Sequence, residues 1–155
     1  MPLDANVVAN ELITRGQRDD VSIDPMKLQK LLYLAHGWHL AFLDSPLIGQ
    51  EIEAWKYGPV IPPVYREFKE FKGGAITRFA PVSADDIPPS DDQKGLIEAV
   101  WNRYREKSGI FLSMLTHEPG SAWEITRRES PWFSPVIPNE LIREEFARKR
   151  AAGRA

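Results

Sequence analysis

Three histidines and no cysteine set the limits on chemistry in this chain. His36 and His39 stand three residues apart in "LYLAHGWHLAF", a spacing that on a helix can bring two imidazole nitrogens to one metal ion. A usable centre needs a third ligand, and no H-E-x-x-H or Glu-x-x-His pattern supplies it. Two readings stay open: a metal-dependent hydrolase built on His36 and His39, or histidines of a packed helix. At 3.6 residues per turn His39 falls in the middle of an apolar stripe and His36 about 60° away, near its edge. That favours a hydrogen-bonded core role for His39 and a surface-shaping role for His36, with no metal assigned. His117, in "LTHEPGSAW", could serve acid–base chemistry or close a loop between two helix ends, and the second reading is preferred. No serine sits in a G-x-S-x-G elbow. Asp85, Asp86, Asp91 and Asp92 lack the alternation and closing Glu of a calcium loop. Catalytic residues: none are assigned, no cofactor is expected, and the chain is not read as an enzyme.

Binding is the other chemistry on offer. In "EAWKYGPVIPPVYREF" Trp55 and Tyr57 precede a Gly-Pro and two further prolines. Large stiff aromatics give much contact area for little entropy loss. Prolines reduce the ordering cost of a loop and so favour a preorganised surface. The competing reading is that both rings simply cover a helix. Arg148, Lys149, Arg150 and Arg154 make the C-terminal end basic, suited either to phosphates or to a helix C-terminus. Without aromatic interleaving or a recognition helix, nucleic-acid binding is not expected.

These residues need elements to hold them. Asp4 can cap a first helix that ends near Gly16, and Asp24-Pro25 can open a second. On the second, Leu28, Leu31, Leu32, Ala35, His39 and Phe42 share one face, while Tyr33, Leu34 and Leu40 lie opposite. A helix apolar nearly all round is a buried, central one. "IEAWKY" alternates like a short strand, residues 58–62 should be extended, and a helix should start at about Pro63 with Val64, Tyr65, Phe68 and Phe71 as its buried stripe. Gly73-Gly74 would end it. "AITRFAPV" is the expected second strand. Ser90/Gln93 and Ser121/Glu124 have capping-box spacing, and Asn139 can cap a last helix. The expected fold is mainly α with a small antiparallel β element, an α+β helical domain around one buried helix. Residues 1–150 would form a single domain and 151–155 a short basic tail.

At 155 residues a chain can bury roughly 70% of its unfolded surface and needs no staple. The net charge of −2 argues against a protein built mainly to grip nucleic acid. The N-terminus lacks the apolar core of a secretory signal and no run reaches a membrane span, so a cytoplasmic protein is expected. Nothing reports the oligomeric state.

"MKLQKLLYLAHGWHLAF" followed by "IEAWKYGPVIPPVYREF" resembles the Panacea domain of SocA-like and GepA-like antitoxins. "LTHEPGSAWEITR" resembles that family's second signature, and the likeness runs from about residue 7 to 130. The resemblance implies a mainly helical fold, no enzymatic activity, and a role in bacterial or phage toxin–antitoxin modules. The implied partner is a cognate protein toxin encoded by an adjacent gene, neutralised by direct binding. An adaptor that delivers the toxin to a ClpXP-type protease is the implied alternative. Carried over residue by residue, the motif marks Lys27, Leu28, Lys30, Leu31, Tyr33, Gly37, Trp55, Tyr57, Gly58, Pro59 and Tyr65, with His39 and Trp123 beside them as structural positions. Lys30, Tyr33, His36, Trp55 and Tyr57 are the candidate partner contacts.

Overall fold

Asp24 and Pro25 start the helix on which everything else is laid. The Asp24 carboxylate accepts the Lys27 N–H at 2.8 Å, and Pro25 takes the position where a missing N–H costs nothing. The helix, α2 (Pro25–Leu43), is buried at every residue from Lys27 to Leu40. It ends at Asp44, whose left-handed backbone (φ 54°) returns its N–H to the Leu40 carbonyl. The computed structural model describes residues 1–153; Arg154 and the last residue of the expected basic tail lie outside them.

Against α2 pack α1 (Ala5–Asp19), α4 (Asp91–Tyr104), α5 (Gly109–Thr116) and α7 (Asn139–Ala151). A short α3 (Pro62–Phe68), running into a 3-10 turn at Lys69–Phe71, touches α1 and α2, and α6 (Ala122–Glu129) lies on α7. Two three-residue strands, β1 (Glu53–Trp55) and β2 (Gly58–Val60), form an antiparallel hairpin with Trp55 opposite Gly58. Mainly helical with one small antiparallel sheet is therefore the observed class. The core draws on both ends of the chain, from Leu3 to Phe146.

Several local expectations change. β1 pairs with residues 58–60 rather than with "AITRFAPV". Its other edge is also occupied: Ala54 N–H donates to Pro135 O at 2.8 Å and Ile137 N–H to Ile52 O at 2.7 Å. With both edges filled, the segment around Ala80 is held instead by the Asn10 carboxamide, which exchanges two hydrogen bonds with Ala80. α1 runs past Gly16 to Asp19, and Asp20 takes the left-handed turn. α3 begins at Pro62, and its buried side is Val64 and Phe68 while Tyr65 is exposed. Phe42 leaves the apolar stripe for the surface, beneath the Arg150 guanidinium. Asn139 does not cap α7; Pro138 holds the cap position and the Asn139 carboxamide turns to His36. The Ser90/Gln93 box closes in both directions. At Ser121 only the forward bond forms, because Glu124 Oε1 accepts from Gly120 N–H.

Candidate functional site

The hairpin lies over the N-terminal half of α2, and polar side chains from the helix hold it. Gln29 Oε1 accepts the Ile61 N–H at 2.8 Å and its Nε2 donates to Ile61 O at 3.3 Å. A buried carboxamide thus does the work of a neighbouring strand, satisfying both backbone groups. One residue on, Lys30 Nζ donates to Pro59 O at 2.9 Å from a buried position. Burial pushes the Lys30 ammonium down to about 8. Gly58 has to be glycine here. Its φ is +121°, and a Cβ would come within 3.0 Å of Lys30 Nζ and 3.2 Å of Thr116 Oγ1.

The second signature, together with Ser113 just before it, grips the same hairpin from the side. Ser113 Oγ donates to Tyr57 O at 2.8 Å, and the His117 ring lies against the Tyr57 backbone. The Trp123 indole N–H donates to Trp55 O at 2.6 Å, and Arg127 reaches Ala54 O. His117 stacks on Trp123 with ring centroids 4.0 Å apart, and burial lowers its basicity. All three sequence motifs therefore converge on five backbone carbonyls between Ala54 and Ile61. His117 closes this junction.

The named residues divide sharply between inside and outside. Leu28, Leu31 and Tyr33 are buried, and Tyr33 O–H donates to Glu145 Oε1 at 2.9 Å. Lys27 reaches the Arg105 carbonyl. Gly37 lets α7 approach, since a methyl there would overlap the Phe146 ring. His36 is 1% exposed. Its Nδ1 accepts the Ile48 N–H at 3.2 Å, so its Nε2 carries the proton and donates to Asn139 Oδ1 at 2.8 Å. Burial drives His36 down to about 4. His39 Nδ1 donates to the Ser45 carbonyl and is likewise lowered by burial. Both nitrogens of His36 are thus committed, and His36 would have to break an internal bond to share a metal with His39. Among the described residues no cluster of three or more His, Asp or Glu is placed to hold an ion. Lys30, Tyr33 and His36, named as partner contacts, spend their polar atoms inside the fold. Trp55 is half-buried, with its ring 4.9 Å from that of Tyr65, and Tyr57 is 64% exposed at the hairpin turn.

Beside that turn runs a groove of about 560 Å³ between the hairpin, α3 and the start of α2. Leu28, Val60, Val64 and Phe68 supply its apolar base, and Trp55, Tyr57 and Tyr65 its aromatic side. α5 continues the apolar surface with exposed Ile110 and Met114. It abuts Met26 through Gly109 and the hairpin turn through Ser113. Sequence reasoning missed Gln29, Ser113, Met26 and the α5 residues. A glutamine embedded in a nearly continuous apolar helix was the available signal. The basic C-terminal end is tied down: Arg148 donates to Gly120 O, Lys149 sits 3.3 Å from Glu145, and Arg150 donates to Ala41 O. No helix among the described residues is long and apolar enough to cross a membrane.

Comparison with known proteins points the same way as the motifs. The family model described as "Antitoxin SocA-like, Panacea domain" matches residues 28–124, the stretch running from α2 through the hairpin into α6. The chain is also 37% identical to Antitoxin SocA of Caulobacter vibrioides (strain NA1000 / CB15N) over 132 residues, which covers 79% of this chain and 70% of that protein. No solved structure matches. A match over more than half of the sequence, with the matched motifs joined in one structural unit, leads to one assignment: the chain belongs to the SocA-like antitoxin, Panacea-domain family.

Proposed function

We propose that this chain is an antitoxin that neutralises a protein toxin encoded by an adjacent gene through direct, non-catalytic contact. Family membership supports the antitoxin role. The observation that carries the contact mechanism is the exposed Tyr57 on a turn whose backbone is fixed by Ser113 and Trp123. A large ring on a clamped turn loses little freedom when a partner covers it, which is the physical requirement of a hot spot. Lys30, Tyr33 and His36 then act from beneath by setting the frame, and Trp55 and Tyr57 meet the partner. An interface of this kind typically buries about 1,600 Å² in total. The chain would act in the cytoplasm, with residues 1–150 as the functional unit.

The test is co-expression with the neighbouring gene. Wild-type protein should restore growth and co-elute with the toxin. Tyr57→Ala should weaken co-elution by about tenfold or more, while its urea midpoint stays near wild type because an exposed ring contributes little to folding. Undiminished binding by Tyr57→Ala and Trp55→Ala variants that remain folded would remove this surface from the mechanism. Rescue that persists in a host lacking ClpXP supports masking, and rescue that disappears there assigns delivery to the protease.

A further inference from the structure

The groove beside Tyr57 is electrostatically one-sided. Lys56, Lys69 and Lys72 line it together with the buried Lys30, and no carboxylate does. The two nearest acidic side chains along α3 and its 3-10 turn, Glu67 and Glu70, are drawn away by Arg78, which binds both. Lys56 lies over the Tyr57 ring. Lys69 and Lys72 are exposed and make no ion pair among the described residues. An excess of cations around an apolar trough, on a chain whose net charge is −2, is a local arrangement rather than a property of the whole surface.

The backbone narrows what can lie there. Strand addition needs a free edge, and the hairpin has none to give. β1 is flanked by β2 and by residues 135–137, while the carbonyls of Pro59 and Ile61 are taken by Lys30 and Gln29. Recognition must come through side chains, as in helix-in-groove docking.

Resting on the antitoxin reading, we infer that the groove receives an acidic amphipathic helix of the partner protein, its apolar face on Val60, Val64 and Tyr65 and its carboxylates toward Lys69 and Lys72. Opposite charge at the rim speeds association and selects the partner, and the apolar trough holds it.

Two arms test this. In the first, purified full-length protein is titrated against a fluorescein-labelled amphipathic peptide with Leu and Phe at helical spacing and Glu elsewhere, and against the same peptide with Lys in place of Glu. Saturable binding of the acidic peptide is expected, weakening steeply with salt. The Lys69→Glu/Lys72→Glu double variant should lose about tenfold or more in affinity and invert the preference. Phe42→Ala, at the opposite end of α2 and lining a separate hollow, should bind as wild type. Equal binding of both peptides, no saturable binding up to millimolar peptide, or a double variant indistinguishable from wild type would each overturn the inference. In the second arm the double variant is tested for rescue against the neighbouring gene product. If wild type fails to protect, the antitoxin reading falls, whatever the peptide does. If wild type and the charge-reversed variant protect equally, the groove is not the toxin's seat and the antitoxin reading stands.

Discussion

A buried histidine held neutral by two hydrogen bonds makes stability depend on pH in a calculable direction. His36 gives Nε2–H to Asn139 and accepts the Ile48 amide on Nδ1, with His39 as a nearby like charge when protonated. Its folded value is about 4 against an ordinary 6.5, the main cause being burial. Between those values the unfolded chain binds a proton that the folded one refuses. Stability is therefore full above about pH 6.5 and falls as pH drops toward 4, by roughly 3 kcal/mol from this residue. Urea midpoints measured from pH 7.5 to 4.5 should decline, and His36→Gln should decline less steeply. Equal slopes for the two proteins would show that His36 does not carry the effect. The helical pattern put His36 at the edge of a stripe, where a surface role was reasonable. It could not reveal that α7, more than a hundred residues later, would cover that edge with Asn139.

Besides the shared apolar core, several elements are joined by side chains gripping backbone, and this decides how much of the architecture could be read in advance. α2 was legible because Asp24-Pro25 and an almost unbroken apolar run leave few other structures. The hairpin was half legible. Alternation marked β1, but β2 contains a glycine and a proline, residues depleted in strands, so its pairing could not be seen from propensity. Its existence depends on Gln29 and Lys30 substituting for a neighbouring strand. The candidate site was legible as motifs and illegible as geometry: nothing in the order of residues says that Trp123 N–H meets Trp55 O. Gln29→Ala tests the substitution idea directly. It leaves the buried Ile61 N–H without its partner, while Ile61 O keeps the Tyr65 N–H, a loss of about 1–3 kcal/mol. The Ile61 amide should lose its protection from hydrogen exchange first, while amides in the middle of α2 keep protection set by global unfolding. Unchanged exchange at Ile61 would mean that the hairpin is held by its side clamps alone.

On the scale of the whole molecule, the family match and the physical core do not coincide. The matched stretch ends at residue 124, yet the face of α2 that carries Tyr33 and Gly37 is sealed by α7, fifteen residues further on. Ile142 and Phe146 are fully buried there, with the Phe146 ring edge-on to Tyr33 and Trp38. Glu145 binds the Tyr33 hydroxyl, the Ala122 N–H that opens α6, and the Lys149 ammonium, so it links three elements. At the other end, Leu3 pairs with Leu47 and Gly49 and closes the far end of α2. Losing a buried Ile or Phe each costs about 2–5 kcal/mol, and an orphaned buried hydroxyl and amide add more. Together these approach the 5–15 kcal/mol that typically holds a domain of this size. A chain truncated after Pro138 is therefore expected to lose its cooperative urea transition, bind ANS through the exposed face of α2, and fail to protect against the neighbouring gene product. Phe146→Ala, which keeps the helix, should retain a cooperative transition shifted by about 3–5 kcal/mol. A truncated chain that unfolds as sharply as wild type would confine the core to the family-matched stretch and make α7 an accessory, because no helix sealing Tyr33, Gly37 and Trp38 can be removed without exposing them to water.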